Sequence, residues 1–204
     1  NSIRNNTMVG AVAGTPGTLP QVSGSASWAI TGVPAGITRT IVGTGTENGI
    51  TYIDIQLSGT PGANADIQIF PETSPGVAAT SSQAWAGSFY VKLAAGATTN
   101  VSSWRLNLVE NSSVPAFLRQ TSTNINAPTS SSLATQRVSA SVTTGASTAF
   151  VQSSILFSVT SGAAIDITLR IGLPQLEQGA FATSVISTTT AAATRSADVA
   201  SVNT

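Results

Sequence analysis

The 204-residue sequence predicts an all-β domain of antiparallel strands, arranged either as a sandwich or as a barrel. Three observations support this prediction. Apolar residues recur with a period of two, which is typical of strands that bury one face and leave the other in water. Clusters of Gly, Pro, Asn and Ser separate the periodic segments, as turns separate strands. No segment has the i, i+3, i+4, i+7 spacing over a length sufficient for a helix.

The strand pattern repeats along the chain, and in each clear case the aliphatic and aromatic residues share one face. The clear segments are 50–58, 65–70, 86–93, 104–109, 137–142 and 165–171. Weaker patterns predict further strands at 27–31, 37–42, 77–80, 149–159 and 180–186. We expect a single shared core formed by Ile53, Ile55, Leu57, Phe89, Val91, Trp104, Leu106, Leu108, Ile167 and Leu169.

The composition changes near both ends of the chain, where small and polar residues without periodicity prevail. We therefore expect an extended N-terminal arm over 1–25, the β-sandwich over 26–186 and an extended C-terminal tail over 187–204. These arms are expected to be held against the sandwich or by neighbouring subunits. The segment 110–133 is a long connection for a compact domain, and long connections tend to be functional or mobile.

The charge content excludes several classes of partner. Eight Lys and Arg balance eight Asp and Glu, and only 8% of the residues are charged. This balance provides no basic patch for nucleic acid or an anionic membrane. Because no apolar run reaches the roughly 18 residues of a membrane span, we expect no membrane insertion. A surface of Ser, Thr, Asn and Gln suits an extracellular or assembled particle.

The chain contains no Cys and no His. This absence excludes disulfides, thiol nucleophiles, zinc sites of the usual kind and histidine acid–base chemistry. The carboxylates form no recognisable motif, although a glycosidase needs a pair about 5–10 Å apart. We therefore expect a protein that is not an enzyme and needs no cofactor. A structural calcium ion could draw oxygens from Asp66 with Glu72, or from Glu47 with nearby carbonyls.

Several segments resemble a module common in bacteriophage virion proteins, namely tail-fibre, tail-appendage and head-spike components. They are NSIRNNTMVGAVAGTPGTLP at the start, SFYVKL, TQRVSASV and PQLEQGAFATSVISTT followed by TRSADVASV. The part over 174–199 is the most specific. The module is similar to the jelly roll of carbohydrate-binding modules. The resemblance implies a jelly-roll fold, a virion or extracellular location, assembly with other virion subunits and attachment to host-surface glycans.

The resemblance also implies that such a chain forms a homo-oligomer and acts as a structural or adhesion module. A different class of function remains open, which is a carbohydrate-binding module of a bacterial secreted protein or of a glycoside-active enzyme. A third hypothesis, that the chain is a depolymerase domain, is not supported by the layout of the carboxylates.

The alternation places one set of polar and aromatic side chains opposite the predicted core. The candidate ligand-binding residues are Tyr52, Asp54, Tyr90, Arg105, Asn107 and Arg170. The two tyrosines would stack on sugar rings, and the polar residues would bond to sugar hydroxyls or acidic groups. The same set is also what a solvated or subunit-contacting sheet face would contain. A loop edge near 110–133 is a second possible location. Trp85, Phe89 and Trp104 are expected to point into the core.

Overall fold

The computed structural model describes residues 1–194. This part of the chain contains strands and a single 3₁₀ turn, Leu133–Thr135, but no α-helix. The strands are β1 Gln21–Val22, β2 Ser25–Ala26, β3 Ala29–Thr31, β4 Ile37–Glu47, β5 Ile50–Gly59, β6 Ala65–Phe70, β7 Val77–Ala78, β8 Ala84–Ala97, β9 Val101–Asn111, β10 Phe117–Asn124, β11 Arg137–Thr143, β12 Phe150–Val159 and β13 Ile165–Gln178.

Two antiparallel sheets form the sandwich, and β1 and β2 form a separate two-stranded sheet. The six-stranded sheet has the order β10-β9-β12-β6-β3, with β7 also beside β12, and the five-stranded sheet has the order β11-β8-β13-β5-β4. Eight strands pair in a nested way, β5 with β13, β6 with β12, β8 with β11 and β9 with β10. This nesting is the topology of a jelly roll, so the predicted all-β sandwich is confirmed.

The core lies between the two sheets. All ten of the residues expected there are buried and belong to one cluster. Trp85, Phe89 and Trp104 also point inward as predicted, and the Trp104 and Phe157 rings lie 4.9 Å apart. The period-two pattern located this core because the inward face of a strand is a local property of its sequence.

Two sequence predictions about strands are wrong. The segment 110–133 is not simply a long connection, because β10 lies within it. The alternation in FLRQTSTN is weak because β10 is an edge strand with most of its residues exposed. Residues 180–186 form no strand, since the chain leaves the sheet after Gln178 and continues irregularly along the sandwich.

The N-terminal residues pack against the sandwich. Ile3, Met8 and Leu19 belong to the main core. The Asn6 side chain donates to the carbonyl oxygens of Pro174 and Ile186 at 3.1 and 2.9 Å. The division of the chain at residues 25 and 186 stays a prediction, and residues 195–204 of the predicted tail lie outside the described part. Over residues 1–194, no helix has the length and apolarity needed to cross a membrane.

The Trp104→Ala variant should lose about 3–5 kcal/mol of unfolding free energy, because it removes a large buried side chain and leaves a cavity. Chemical denaturation followed by tyrosine or tryptophan fluorescence measures this loss. The matched control is Phe181→Ala, whose ring is 74% exposed and whose removal should change stability by less than about 0.5 kcal/mol. Equal effects in the two variants would contradict the burial of Trp104.

Candidate functional site

The predicted ligand face is divided between the two sheets. Tyr52, Asp54, Tyr90 and Arg170 lie on β5, β8 and β13 of the five-stranded sheet, whereas Arg105 and Asn107 lie on β9 of the six-stranded sheet. The outer faces of the two sheets point in opposite directions, with the core between them. The expectation of one shared face is therefore wrong. Alternation identifies the outward residues of a strand but does not say which sheet the strand joins.

The Leu133 side chain forms an apolar plug over part of the outer face of the five-stranded sheet. Tyr52 and Tyr90 lie on either side of Gly172 in the strand register. The fully buried Leu133, from the 3₁₀ turn, fills the space above this glycine, where a Cβ would lie 3.1 Å from Leu133 Cδ2. Both tyrosines are half-buried against this plug and Val185. The two tyrosine rings therefore belong to a small apolar cluster and are not exposed for stacking on a sugar.

The charged residues of this face are bonded to one another. Arg170 donates to both carboxylate oxygens of Asp54 at 2.9 and 2.8 Å, and to Glu47 at 2.7 Å. Its guanidinium carbon lies 3.6 Å from the centroid of the Tyr52 ring. Lys92 also pairs with Glu47 at 3.1 Å. Arg170 and Asp54 thus have an internal structural role.

Glu47 connects the sheet to the 3₁₀ turn. It ends β4 just before the turn residues Asn48 and Gly49, whose φ values of 51° and 78° form a tight hairpin. Its Oε1 accepts a 2.8 Å hydrogen bond from the Leu133 N–H. This bond, with Arg170 and Lys92, lowers the pKa of Glu47 from 4.5 to about 2, against the opposing effect of burial.

Residues 183–186 cover the Tyr90 end of the same face. Arg137 lies with its guanidinium carbon 5.7 Å from the centroid of the Tyr90 ring. It donates to the Ser88 hydroxyl at 2.8 Å and to the Thr183 carbonyl at 2.6 Å. The outer face of the five-stranded sheet is therefore covered at two places, and Arg170, Asp54, Glu47 and Lys92 are paired with one another.

The outer face of the six-stranded sheet has a different character. Residues directly opposite each other in an antiparallel pair have side chains on the same face. Asn107 is opposite Ser122 and Ser154, and Arg105 is opposite Asn124 and Leu156. We call this surface the amide face, and its polar members are Gln68, Arg105, Asn107, Gln120, Ser122, Asn124 and Ser154.

Asn107 lies at the floor of the amide face with no protein partner. The residue is 0% exposed, and neither its Oδ1 nor its Nδ2 has a hydrogen bond. An unsatisfied buried amide costs about 1–3 kcal/mol, so this side chain does not serve stability. Its neighbour Ser154 differs, because its hydroxyl bonds to Gln68 Oε1 at 3.1 Å.

Phenylalanine rings flank these amides. Phe117 and Phe150 both lie opposite Asn111, so the three side chains form one row on the amide face. The Phe117 ring is 66% exposed, and Phe70 is half-buried at the end of β6. Phe117 was not among the predicted site residues because the segment 110–133 was interpreted as a long connection.

A groove of about 470 Å³ lies at the edge of the sandwich, between residues 123–129 and β11. Its lining includes Ile125, Arg137 and Val138. This is the loop edge that the sequence offered as a second location.

The carboxylates considered for calcium are already bonded to protein groups. Glu47 has the partners described above, Glu72 pairs with Arg4 at 2.8 Å, and Asp66 accepts from the Ser158 hydroxyl. Among residues 1–194, no group of three or more acidic side chains is arranged to hold a metal ion.

No protein-family model matches the chain, and no curated protein matches it. Several solved structures are similar in fold, among them the following three. The enzymatically active domain of tailspike protein 4 from bacteriophage CBA120 has a TM-score of 0.45 and 12% identity over 74% of this chain, which spans 19% of that structure. A family 4 carbohydrate-binding module has a TM-score of 0.46 and 15% identity over 87% of this chain and 100% of the module.

The third structure is the family 11 carbohydrate-binding module of a cellulosomal cellulase from Clostridium thermocellum. It has a TM-score of 0.45 and 14% identity over 86% of this chain and 98% of that module. All three TM-scores lie below 0.5, so the ligands and activities of these proteins are not transferred to this chain.

Acid should weaken the bond between Glu47 and the 3₁₀ turn. Because the folded pKa is lower than the ordinary value, the carboxylate stabilises the protein above about pH 4.5 and loses this effect as the pH falls towards 2. The wild type should therefore lose more stability than Glu47→Gln between these values. Urea denaturation at a series of pH values measures the difference. Parallel pH profiles for the two proteins would contradict the assigned role.

Proposed function

We propose that this chain is a non-enzymatic carbohydrate-binding module and that the amide face binds the glycan. The observation that carries the proposal is the buried, unpaired amide of Asn107. Evolution readily replaces an unpaired polar group when stability alone matters, because an apolar residue of similar shape fits at no loss. A ligand that forms hydrogen bonds with this amide would explain why an asparagine occupies position 107.

The chemistry of the amide face matches that of a saccharide. Sugar hydroxyls both donate and accept hydrogen bonds, and Asn, Gln and Ser side chains offer both donors and acceptors. The exposed ring of Phe117 supplies an apolar surface on which the C–H face of a sugar can stack. A mixture of amides, hydroxyls and an aromatic ring is thus suited to a neutral or weakly charged polyol.

The arrangement of the carboxylates supports a role without catalysis. Glu47 and Asp54 share the Arg170 guanidinium on the covered face of the other sheet. A glycosidase needs one carboxyl that is protonated at working pH and a second that is ionised. Glu47, with a pKa of about 2, does not meet the requirement for a proton donor.

We further propose that the module belongs to a phage virion appendage, where it links subunits and attaches the particle to host-surface glycans. The resemblance over 174–199 supports this context. A shallow face with few desolvated groups binds a single glycan weakly. Many copies on one particle would strengthen attachment by about 10²–10⁴. A carbohydrate-binding module of a bacterial secreted protein would use the same face without this multivalency.

The Asn107→Leu variant tests the proposal directly. We expect its unfolding free energy to stay equal or to rise by about 1 kcal/mol, because the unsatisfied amide is removed. Glycan binding should weaken at least about tenfold, as expected for a lost hydrogen-bonding group. Denaturation and titration against the oligosaccharides retained on a glycan array measure the two effects.

Asn111→Leu is the matched control on the same strand and face. The Asn111 amide donates to Pro75 O at 3.0 Å and to Gln152 Oε1 at 3.1 Å, so this change should destabilise the protein by about 1–3 kcal/mol. A loss of stability in Asn107→Leu similar to that in Asn111→Leu, with glycan binding retained, would contradict the proposal.

The two sheet faces can be compared with a second pair of variants. Phe117→Ala should weaken glycan binding about tenfold and leave stability unchanged, because its ring is mostly exposed. Tyr52→Ala should lower stability and leave binding unchanged, because its ring packs against Leu133 and Arg170. The reverse result would move the binding site to the five-stranded sheet.

A further inference from the structure

We infer that the amide face selects glycans that carry a carboxylate, and that Arg105 binds this group. The inference rests on the proposed function of the face and adds the class of sugar. It comes from the combination of a cation without a partner and a buried amide without a partner, two residues apart on the same strand.

Arg105 differs from the other cations of residues 1–194. It is half-buried, and its side chain takes part in no ion pair or hydrogen bond. Every other Lys or Arg in this part of the chain has a protein partner. The partners are Glu72 for Arg4, the Gly17 carbonyl for Arg39, Glu47 for Lys92, Glu110 for Arg119, Ser88 for Arg137 and Asp54 for Arg170.

The surroundings of Arg105 provide no neutralising charge. The residues opposite it, Asn124 and Leu156, are neutral. Asp66 lies on the same face but across β12, where it is opposite Ser158 and accepts that hydroxyl's hydrogen bond. Glu110 lies on β9 as well, but its carboxylate is bonded to Arg119 and Thr148. The guanidinium is therefore available to an external anion.

The spacing of the two groups fits one acidic sugar residue. Residues i and i+2 of a strand are about 6.7 Å apart, so Asn107 follows Arg105 at that distance on the same face. The planar guanidinium binds a carboxylate through two parallel hydrogen bonds. The Asn107 amide is fully covered in the unbound chain. Once the covering side chains move aside, it offers a donor and an acceptor to a ring hydroxyl of the same or the adjacent sugar.

The experiment uses the full chain and pairs of ligands in which the carboxylates are either free and charged or methyl-esterified and neutral. The probes are oligogalacturonate, hyaluronan oligosaccharide and sialyllactose, each as the free acid and as its methyl ester, with neutral cello-, xylo- and galacto-oligosaccharides beside them. For at least one pair we expect the acid to bind about 10–100-fold more tightly, which corresponds to a charge-assisted hydrogen bond. This preference should shrink as salt is raised.

Arg105→Gln should abolish the preference, so that the acid binds no more tightly than the ester. The double variant Arg105→Gln with Ser139→Lys restores the net charge on the exposed edge of the other sheet. It should not restore the preference, because the effect depends on the position of the cation and not on the total charge.

The outcomes separate the inference from the proposed function. Equal binding of acid and ester, binding of neutral oligosaccharides alone, or a preference that survives Arg105→Gln would each overturn the inference. In those cases the amide face would still be a glycan site if Asn107→Leu weakened the binding. Failure to bind any of these sugars would overturn the proposed function and the inference together.

Discussion

The Glu47 carboxylate holds in place the turn that covers the outer face of the five-stranded sheet, and the difference between the two sheets depends on it. It accepts hydrogen bonds from Lys92 on β8, from Arg170 on β13 and from the N–H of Leu133 in the 3₁₀ turn. These bonds join three strands to the segment that crosses them and hold the Leu133 side chain over Gly172. With its outer face closed in this way, the five-stranded sheet serves stability. The proposed recognition role falls to the amide face of the six-stranded sheet.

The two faces differ in how their charged and amide side chains are paired, although the Arg137 Nε on the five-stranded sheet is also buried without a partner. On the five-stranded sheet, Arg170, Asp54 and Glu47 satisfy one another, and Arg170 also stacks on Tyr52. On the amide face, Asn107 is buried without a partner and Arg105 is unpaired. Polar groups that are left unsatisfied lower stability, and proteins tolerate this cost mainly at functional sites. This asymmetry locates the proposed site without reference to any other protein.

The sequence predicted the strands and the core well because alternation is a local property. Ile53, Phe89 and Leu169 are buried where the period of two places them. The composition of the site was predicted less well. Which sheet receives Asn107 depends on the long-range pairing of β9. The position of Leu133 over Gly172, between the two tyrosines, depends on long-range packing of the 3₁₀ turn on the sheet. The polar strand β10 has too little alternation to be recognised, so its exposed Phe117 was missed.

The central claim is that ligand binds the amide face and not the face closed by Glu47. The most direct measurement is an NMR titration of isotope-labelled protein with an oligosaccharide that it binds. The chemical shifts of the backbone and side-chain amides of the protein are recorded at each step. The claim predicts shifts in the side-chain amide of Asn107 and in the backbone of β9, β10 and β12, with β5 and β13 unchanged. Shifts concentrated around Tyr52, Tyr90 and Arg170, with the Asn107 amide unaffected, would contradict it.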